Sequence, residues 1–305
     1  MMESTSPLIS VIIPAFNAEL YIQEALKSVC SQTYLNLEII IIDDGSSDRT
    51  REIIEQFQDT RILLISRENR GLITTLNEAI GISRGDYIAR MDADDICLST
   101  RLDRQVQYLR KHHNIGLLFT GIEYIDENGR ELRKKVSAKS RKLEPVELLF
   151  GCPVCHPTVM FDMTKLKKSD IQYDKDYCLA EDFELWTRLV NITEIGIINE
   201  VLFKYRIHPN SITSKNNEKQ RIVASKAIVS NLSYNCKTSM SNHLYTVYNN
   251  HLGNESSLKT LVSLVYVGIM LKKLNSEFTY KKFLSKSYYL IRDKFKKRKN
   301  KISRA

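Results

Sequence analysis

The sequence predicts an α/β fold in which a mixed sheet is flanked by helices and followed by a helical C-terminal extension. Three observations predict it. Short β-branched runs alternate with helical patterns through the first 125 residues, the order that parallel strands and crossover helices require. Acidic residues recur at the carboxyl ends of the predicted strands, where open α/β sheets bind ligands. After a polar cluster near residues 210–216, helical periodicity takes over and glycine becomes scarce. The expected division is a sheet domain, residues 1–213, and a helical region with a basic tail, residues 214–305.

Each element follows from its pattern. Ile9-Ser-Val-Ile-Ile13 reads as a buried strand, and Ile22, Ala25, Leu26 and Val29 fall on one face of the next helix. Glu38 to Ile42 is the second strand. It stops at Asp43-Asp-Gly-Ser-Ser-Asp48, rich in turn formers and N-caps, and a helix through Ile53, Ile54 and Phe57 leaves that loop. Ile62 to Ile65 makes a third strand, and Leu72, Thr75, Leu76 and Ala79 mark a third helix face. Asp86 to Met91 is a fourth strand that runs into Asp92-Ala-Asp-Asp95. Leu102, Val106 and Leu109 belong to a helix starting near Ser99 or Thr100. Ile115 to Thr120 is a further strand, and Glu127-Asn-Gly129 suggests a hairpin turn. Residues 130–142 are basic and weakly patterned, and are expected to form a loop.

Composition bounds the function classes. With 305 residues, 43% hydrophobic, 27% charged and only 11 Gly and 6 Pro, the chain is neither disordered, collagen-like nor a disulfide-stapled miniprotein. Cys30, Cys97, Cys152, Cys155, Cys178 and Cys236 are scattered, and no secretory signal opens the sequence, so a reducing cytoplasm with free thiols is expected. Cys152-Pro-Val-Cys155 before His156 looks like half a zinc site, but no second pair stands at a matching spacing. Leu261 to Leu271 is far short of the ~20 apolar residues a membrane-spanning helix needs. No G-x-G-x-x-G and no G-x-x-x-x-G-K-[ST] occurs, which disfavours NAD-dependent and P-loop enzymes.

The acidic strand ends carry the chemistry. Asp43 and Asp44 close the second strand; Asp92, Asp94 and Asp95 close the fourth. Such carboxylates can accept hydrogen bonds from sugar hydroxyls or a base edge, or hold a hard divalent cation against phosphate. The Asp-Asp-Gly-Ser loop also reads as a helix-capping turn. Three clustered carboxylates are harder to explain that way, because like charges repel unless a cation compensates them.

Ser10-Val-Ile-Ile-Pro-Ala-Phe-Asn17, Glu38 to Asp48, Gly85 to Asp95, Ala180-Glu-Asp-Phe-Glu-Leu-Trp186 and Tyr205-Arg-Ile-His208, in that order, resemble the family 2 glycosyltransferases. The resemblance covers roughly residues 8 to 213. It implies the GT-A fold, a Rossmann-like mixed sheet, and an inverting transfer from a nucleotide-sugar, with UDP the expected nucleotide. It places Pro14, Ala15, Phe16, Asn17 and Glu19 against the nucleotide and has Asp44 accept a hydrogen bond from the base. Asp92-Ala93-Asp94 matches the Asp-x-Asp motif, so Asp94 is the expected ligand of Mn²⁺ or Mg²⁺ and Asp92 faces the ribose or sugar. A shift of one residue would give Asp95 the role of Asp94. Asp182 matches the general base, although Glu181 and Asp182 also suit a helix N-terminus. His156 lines the acceptor pocket or packs a turn. Arg206 and His208 reach the diphosphate or metal, or lie on the surface; Arg70 meets phosphate or is simply exposed.

The net charge is +9. Residues 271–305 hold 13 Lys and Arg against Glu277 and Asp293, and the remaining 270 residues balance to −2. Phe278, Phe283, Leu284, Tyr288, Leu290, Ile291 and Phe295 interleave with the lysines. The tail then reads either as an anchor on the anionic inner face of a membrane or as a solvated segment. No nucleic-acid motif accompanies the charge, so no nucleic acid is expected as a partner. The expected acceptor is a saccharide or lipid-linked saccharide of cell-surface polysaccharide assembly. Two other classes stay open: a sugar nucleotidyltransferase, although Pro14 to Asn17 lacks its glycine-rich basic loop, and a non-catalytic protein that keeps the fold to bind partners at the membrane.

Overall fold

The computed structural model describes residues 6–208, 217–232, 243, 246–247, 257–274, 281, 283–288 and 290. By compactness the chain divides into two units. The first collects Met1–Leu143, Val154–Lys175 and Asn191–Ser214. The second collects Glu144–Pro153, Asp176–Val190 and Lys215–Ala305.

The first unit is built on a mixed sheet. Strands β1 (Ile9–Ala15), β2 (Leu37–Asp44), β3 (Ile62–Arg67) and β4 (Tyr87–Arg90) are joined through helices α1 (Ile22–Cys30), α2 (Thr50–Glu55) and α3 (Leu72–Ile82). Short β5 (Ile96–Cys97) and helix α4 (Arg101–Lys111) lead to β6 (Ile115–Ile125), β7 (Glu131–Lys135) and β8 (Arg141–Lys142). Strands β9 (Met160–Asp162) and β10 (Glu194–Arg206) complete the sheet. The order is β3-β2-β1-β4-β9-β6-β10-β5, with β7 on β6 and β8 on β10. The first four strands are parallel to their neighbours, β9 is antiparallel to β4 and β6, and β6 runs parallel to β10. Strands β4 and β6 therefore point the same way, and their carboxyl ends lie on one edge of the sheet.

Burial explains why the first strands are legible. Every residue of β2 is buried and six of the seven in β1, so both read as continuous Ile/Val runs. Ile22, Ala25, Leu26 and Val29 of α1 are buried in the core against that sheet, as their spacing requires. Gly85 lets β4 begin beside β1, since a Cβ there would stand 2.6 Å from the Ser10 backbone nitrogen.

One expectation is corrected. Residues 130–142 are not a plain loop: they hold β7, antiparallel to β6, and β8, antiparallel to β10. All five residues of β7 are exposed, so no buried face imposes the two-residue alternation from which a strand is read. The turn feeding it was foreseen, and Gly129 takes the left-handed conformation there at φ 81°.

The second unit contains helices α5 (Pro145–Leu148), α6 (Glu181–Leu189), α7 (Asn217–Leu232) and α8 (Ser257–Leu274). Glu144 and Glu147 form a capping box at α5. Asn231 of α7 holds α6 in place, its Nδ2 donating to Glu184 Oε1 at 3.1 Å and Thr187 Oγ1 at 3.0 Å. Among the described residues no helix is long and apolar enough to cross a membrane. The expected boundary at 210–216 and the tail beyond residue 290 lie outside the described residues.

Candidate active site

Two loops at the carboxyl ends of β1 and β2 are stitched together. Asn17 adopts φ 49°, and its side-chain oxygen accepts the Ser47 N–H at 2.9 Å while its own N–H donates to Ser46 Oγ at 3.0 Å. Left-handed backbone suits asparagine better than most residues. The Glu19 N–H donates to Asp48 Oδ2 and the Arg49 N–H returns to Glu19 Oε2, both at 3.1 Å. Ala15 is buried, Pro14 is half-buried and Phe16 stands exposed beside them, presenting a ring at the sheet edge.

Asp44 is buried and heavily used. Its carboxylate accepts the backbone N–H groups of Arg70 at 2.8 Å and Gly71 at 2.9 Å, and pairs with Arg67. It thereby ties the Arg67–Gly71 segment to β2. The Arg70 side chain is exposed and reaches Glu68 at 3.3 Å. Gly45 makes this crowding possible, because a Cβ there would meet the Asn69 nitrogen at 2.6 Å.

Past β4, Asp92, Asp94 and Asp95 converge: one ligand oxygen from each lies within 4.8 Å of the others. Asp92 pairs with Arg90, itself almost fully buried. The Asp94 side chain is 28% exposed, and its Oδ2 lies 2.9 Å from His208 Nε2, which requires the tautomer carrying a proton on Nε2. Asp95 is 1% exposed; its Oδ1 accepts the Arg206 N–H at 2.8 Å, and its Oδ2 is buried without a hydrogen-bond partner among the described residues. Burial pushes the Asp95 carboxyl well above the ordinary carboxylate range, and the charges of Asp94 and Asp92 add to it. Clustered carboxylates with one orphaned buried oxygen are a donor set that fits a hard divalent cation.

Arg206 is the strut of this cluster. Its Nε donates to the Asp94 carbonyl at 2.8 Å, its Nη1 to the carbonyls of Asp126 and Glu127 at 3.2 Å, and its Nη2 to Glu24 at 2.6 Å. The guanidinium lies 4.6 Å from the Tyr21 ring centroid. These contacts connect the Asp-x-Asp loop with the β6–β7 turn. His156 Nε2 lies 2.7 Å from the Tyr173 hydroxyl, and burial followed by the charge of Arg90 holds its imidazole pKa well below 6.5.

That histidine predicts a pH dependence. A histidine kept neutral in the fold takes up its proton more readily when unfolded. Its stabilisation is therefore complete above pH ~6.5 and falls as pH drops below that value, by at most about 1.4 kcal/mol per pH unit. Urea unfolding of the wild type at pH 7.5 and 5.5 should show this loss, and His156→Gln should show a smaller one. An identical loss in both would refute it.

Glu181 and Asp182 belong to the second unit, in the first turn of α6, and the Phe183 N–H donates to Asp182 Oδ1 at 2.7 Å. The cysteines Cys30, Cys97, Cys152, Cys155 and Cys178 are all free thiols. Burial, and then a hydrogen bond donated by the thiol to Asp59, raise the Cys30 pKa to about 11. Burial also raises that of Cys155, so neither favours the thiolate that a metal would need.

Sequence reasoning missed three arginines. Arg90 sits inside the quoted Asp86–Met91 strand and was a legible signal beside Asp92. Arg67 ends the third strand and pairs with Asp44 and Glu78. Arg101 is fully buried, donating to the Arg90 carbonyl at 2.9 Å and to Gln105 at 3.0 Å; nothing in a helix N-terminus announces such a burial.

Comparison with known proteins supplies the family. The family model described as Glycosyl transferase family 2 matches residues 10–167. A glycosyltransferase of Haemophilus influenzae is 33% identical over 298 residues, 93% of this chain and 88% of that one. The Escherichia coli enzyme WfgD, named a UDP-Glc:alpha-D-GlcNAc-diphosphoundecaprenol beta-1,3-glucosyltransferase, is 33% identical over 210 residues, 68% of this chain and 80% of that one. Among solved structures, S. aureus TarS 1–349 with UDP-GlcNAc superposes with a TM-score of 0.63 at 18% identity, covering 94% of this chain and 89% of that one.

Proposed function

The chain belongs to glycosyl transferase family 2, and from that membership we propose an inverting, cation-dependent transfer of a sugar from a UDP-sugar to a saccharide or lipid-linked saccharide. The carrying observation is the Asp92–Asp94–Asp95 cluster at the end of β4, with its buried, unpartnered Asp95 oxygen. The relatives support the substrate classes: WfgD by name uses UDP-Glc and a diphosphoundecaprenol-linked saccharide, and TarS has been solved with UDP and UDP-GlcNAc. Cell-surface polysaccharide assembly is the process these names favour.

Each residue then has a task. Pro14 to Asn17, Glu19 and Asp44 form the nucleotide wall; Asp44 acts there chiefly by holding Arg70 and Gly71 in place. Asp92 and Ala93 face the ribose and sugar. Asp94 is the accessible cation ligand, while Asp95 is anchored in the core by the Arg206 N–H. Mn²⁺ or Mg²⁺, when bound, neutralises the charge that develops on the leaving diphosphate. His208 orients the Asp94 carboxylate and Arg206 keeps the loop rigid. Asp182 removes the proton from the acceptor hydroxyl, with Glu181 and His156 on the acceptor side. Displacement by a hydroxyl so activated attacks the face opposite the leaving group, which inverts the anomeric centre. We place catalysis in residues 1–213 and the enzyme at the cytoplasmic face of a membrane, with residues 271–305 as its lipid contact.

The test is a donor panel. UDP-sugars and other nucleotide sugars are incubated with the protein in Mn²⁺ or in EDTA, and released nucleoside diphosphate is measured. Release from one UDP-sugar only in the presence of the cation is expected; release unaffected by EDTA, or from no donor, would overturn the reading.

A further inference from the structure

Residues 130–142 carry seven Lys and Arg against the single acidic Glu131, a second concentration of positive charge apart from the tail. Some of it is neutralised locally: Lys134 pairs with Glu123 at 3.1 Å and Lys142 with Glu194 at 2.6 Å. Arg133 lies over the Tyr124 ring at 4.5 Å. Arg130, Lys135 and Lys139 are exposed, and no carboxylate pairs with them among the described residues. Lys135 is held on β7, Arg130 precedes that strand and Lys139 lies in the bend after it; exposed cations without a partner attract an anion.

The place of this strand in the sheet says which substrate would meet it. The nucleotide loops follow β1 and β2, on one side of β4; β6 and its hairpin lie on the other side, beyond β9. One guanidinium bridges the gap, because Arg206 donates both to the Asp94 carbonyl at 2.8 Å and to the Asp126 and Glu127 carbonyls of the hairpin turn at 3.2 Å. The turn that opens the basic strand is thus tied to the Asp94 backbone, and β7, antiparallel to β6, runs back from the carboxyl edge of the sheet on the side of β4 away from the nucleotide loops. Register sets Lys135 and Arg133 on one face, opposite Ile122 and Tyr124.

We propose that β7 and the residues after it form an anion subsite for the acceptor, in which Lys135, Lys139 and Arg133 bind a phosphate or diphosphate ester carried by the acceptor saccharide. This rests on the glycosyltransferase reading above, because the position across β4 from the nucleotide loops is what identifies the anion as the acceptor's. The donor's own diphosphate belongs to the cluster on the other side of Arg206. A neutral saccharide would leave these cations unused.

The full-length protein is titrated with inorganic pyrophosphate in EDTA, so that no cation bridges the probe to the aspartates. The wild type should bind, Lys135→Glu/Lys139→Glu should bind at least about tenfold more weakly, and Lys135→Arg/Lys139→Arg should bind as the wild type does. Both doubles leave the Arg133–Tyr124 stack intact, and equal melting midpoints exclude a folding defect. Unchanged binding in the Glu double, or none in the wild type, overturns the proposal. So does a Glu double that loses only its sedimentation with phosphatidylglycerol vesicles, which would identify the anion as a membrane surface. Titrating the wild type with UDP and Mn²⁺ is a separate arm: its failure would sink the donor reading while the pyrophosphate result stands on its own.

Discussion

Asp94→Ala is expected to cut cation-dependent UDP release by about 10³-fold or more while leaving the protein folded. The kinetic loss follows from removing one of the two part-exposed carboxylates of the cluster, the one proposed above to hold the cation. Stability should move little or improve in EDTA. Three carboxylates within 4.8 Å repel one another, and two unit charges at such a range cost on the order of a few kcal/mol at a protein-like effective dielectric. Losing the His208 contact offsets part of that gain. The check combines two measurements. Mn²⁺ should raise the melting midpoint of the wild type and not that of the variant, and turnover should fall in parallel. A variant that still turns over donor at the wild-type rate would remove Asp94 from the site.

Asp182→Asn should lower transfer to the acceptor by about 10²–10⁴-fold, the usual contribution of a general base, with binding of UDP and Mn²⁺ retained. The amide keeps the shape of the carboxylate and can still accept the Phe183 N–H, so the start of α6 survives. The charge at the helix N-terminus is lost, worth up to about 1 kcal/mol. Rate and stability therefore separate the two readings of this residue. A large fall in transfer with little change in the urea midpoint identifies a base; the reverse identifies a helix cap.

Much of the fold was open to reading because burial imposes a pattern. Strands β1 and β2 are covered on both faces and appear as unbroken Ile/Val runs. Helices α1 and α4 bury one stripe each, and Leu102, Val106 and Leu109 recur at helical spacing for that reason. Strand β7 buries nothing, so its residues carry no periodic constraint and read as loop. The acidic strand ends were legible for a different reason: Asp92-Ala-Asp-Asp95 sets three carboxylates at one strand end, and the structure brings them within 4.8 Å of one another.

The arginines show where reading along the chain stops. Arg206 reads from the sequence as a cation that reaches the diphosphate or metal or lies on the surface; it is buried, and its donors go to Asp94, Asp126, Glu127 and Glu24. Its partners come from residues 24, 94 and 126–127, more than 75 positions away, and no local pattern encodes such a meeting. Asp44 also anchors the Arg67–Gly71 segment, through contacts no local pattern announces.

By itself, then, the amino-acid order determined the class of the fold, the strand ends that bear acid and the family to which the chain belongs. These are properties of short segments whose periodicity and motif chemistry are complete within a dozen residues. Tertiary structure alone decided which charges are already partnered and which remain available: Arg206 and Arg101 are enclosed, whereas Lys135 and Lys139 are exposed. The physical reason is that a buried charge is tolerated only where hydrogen-bond partners surround it. Those partners are assembled by the crossing of distant strands.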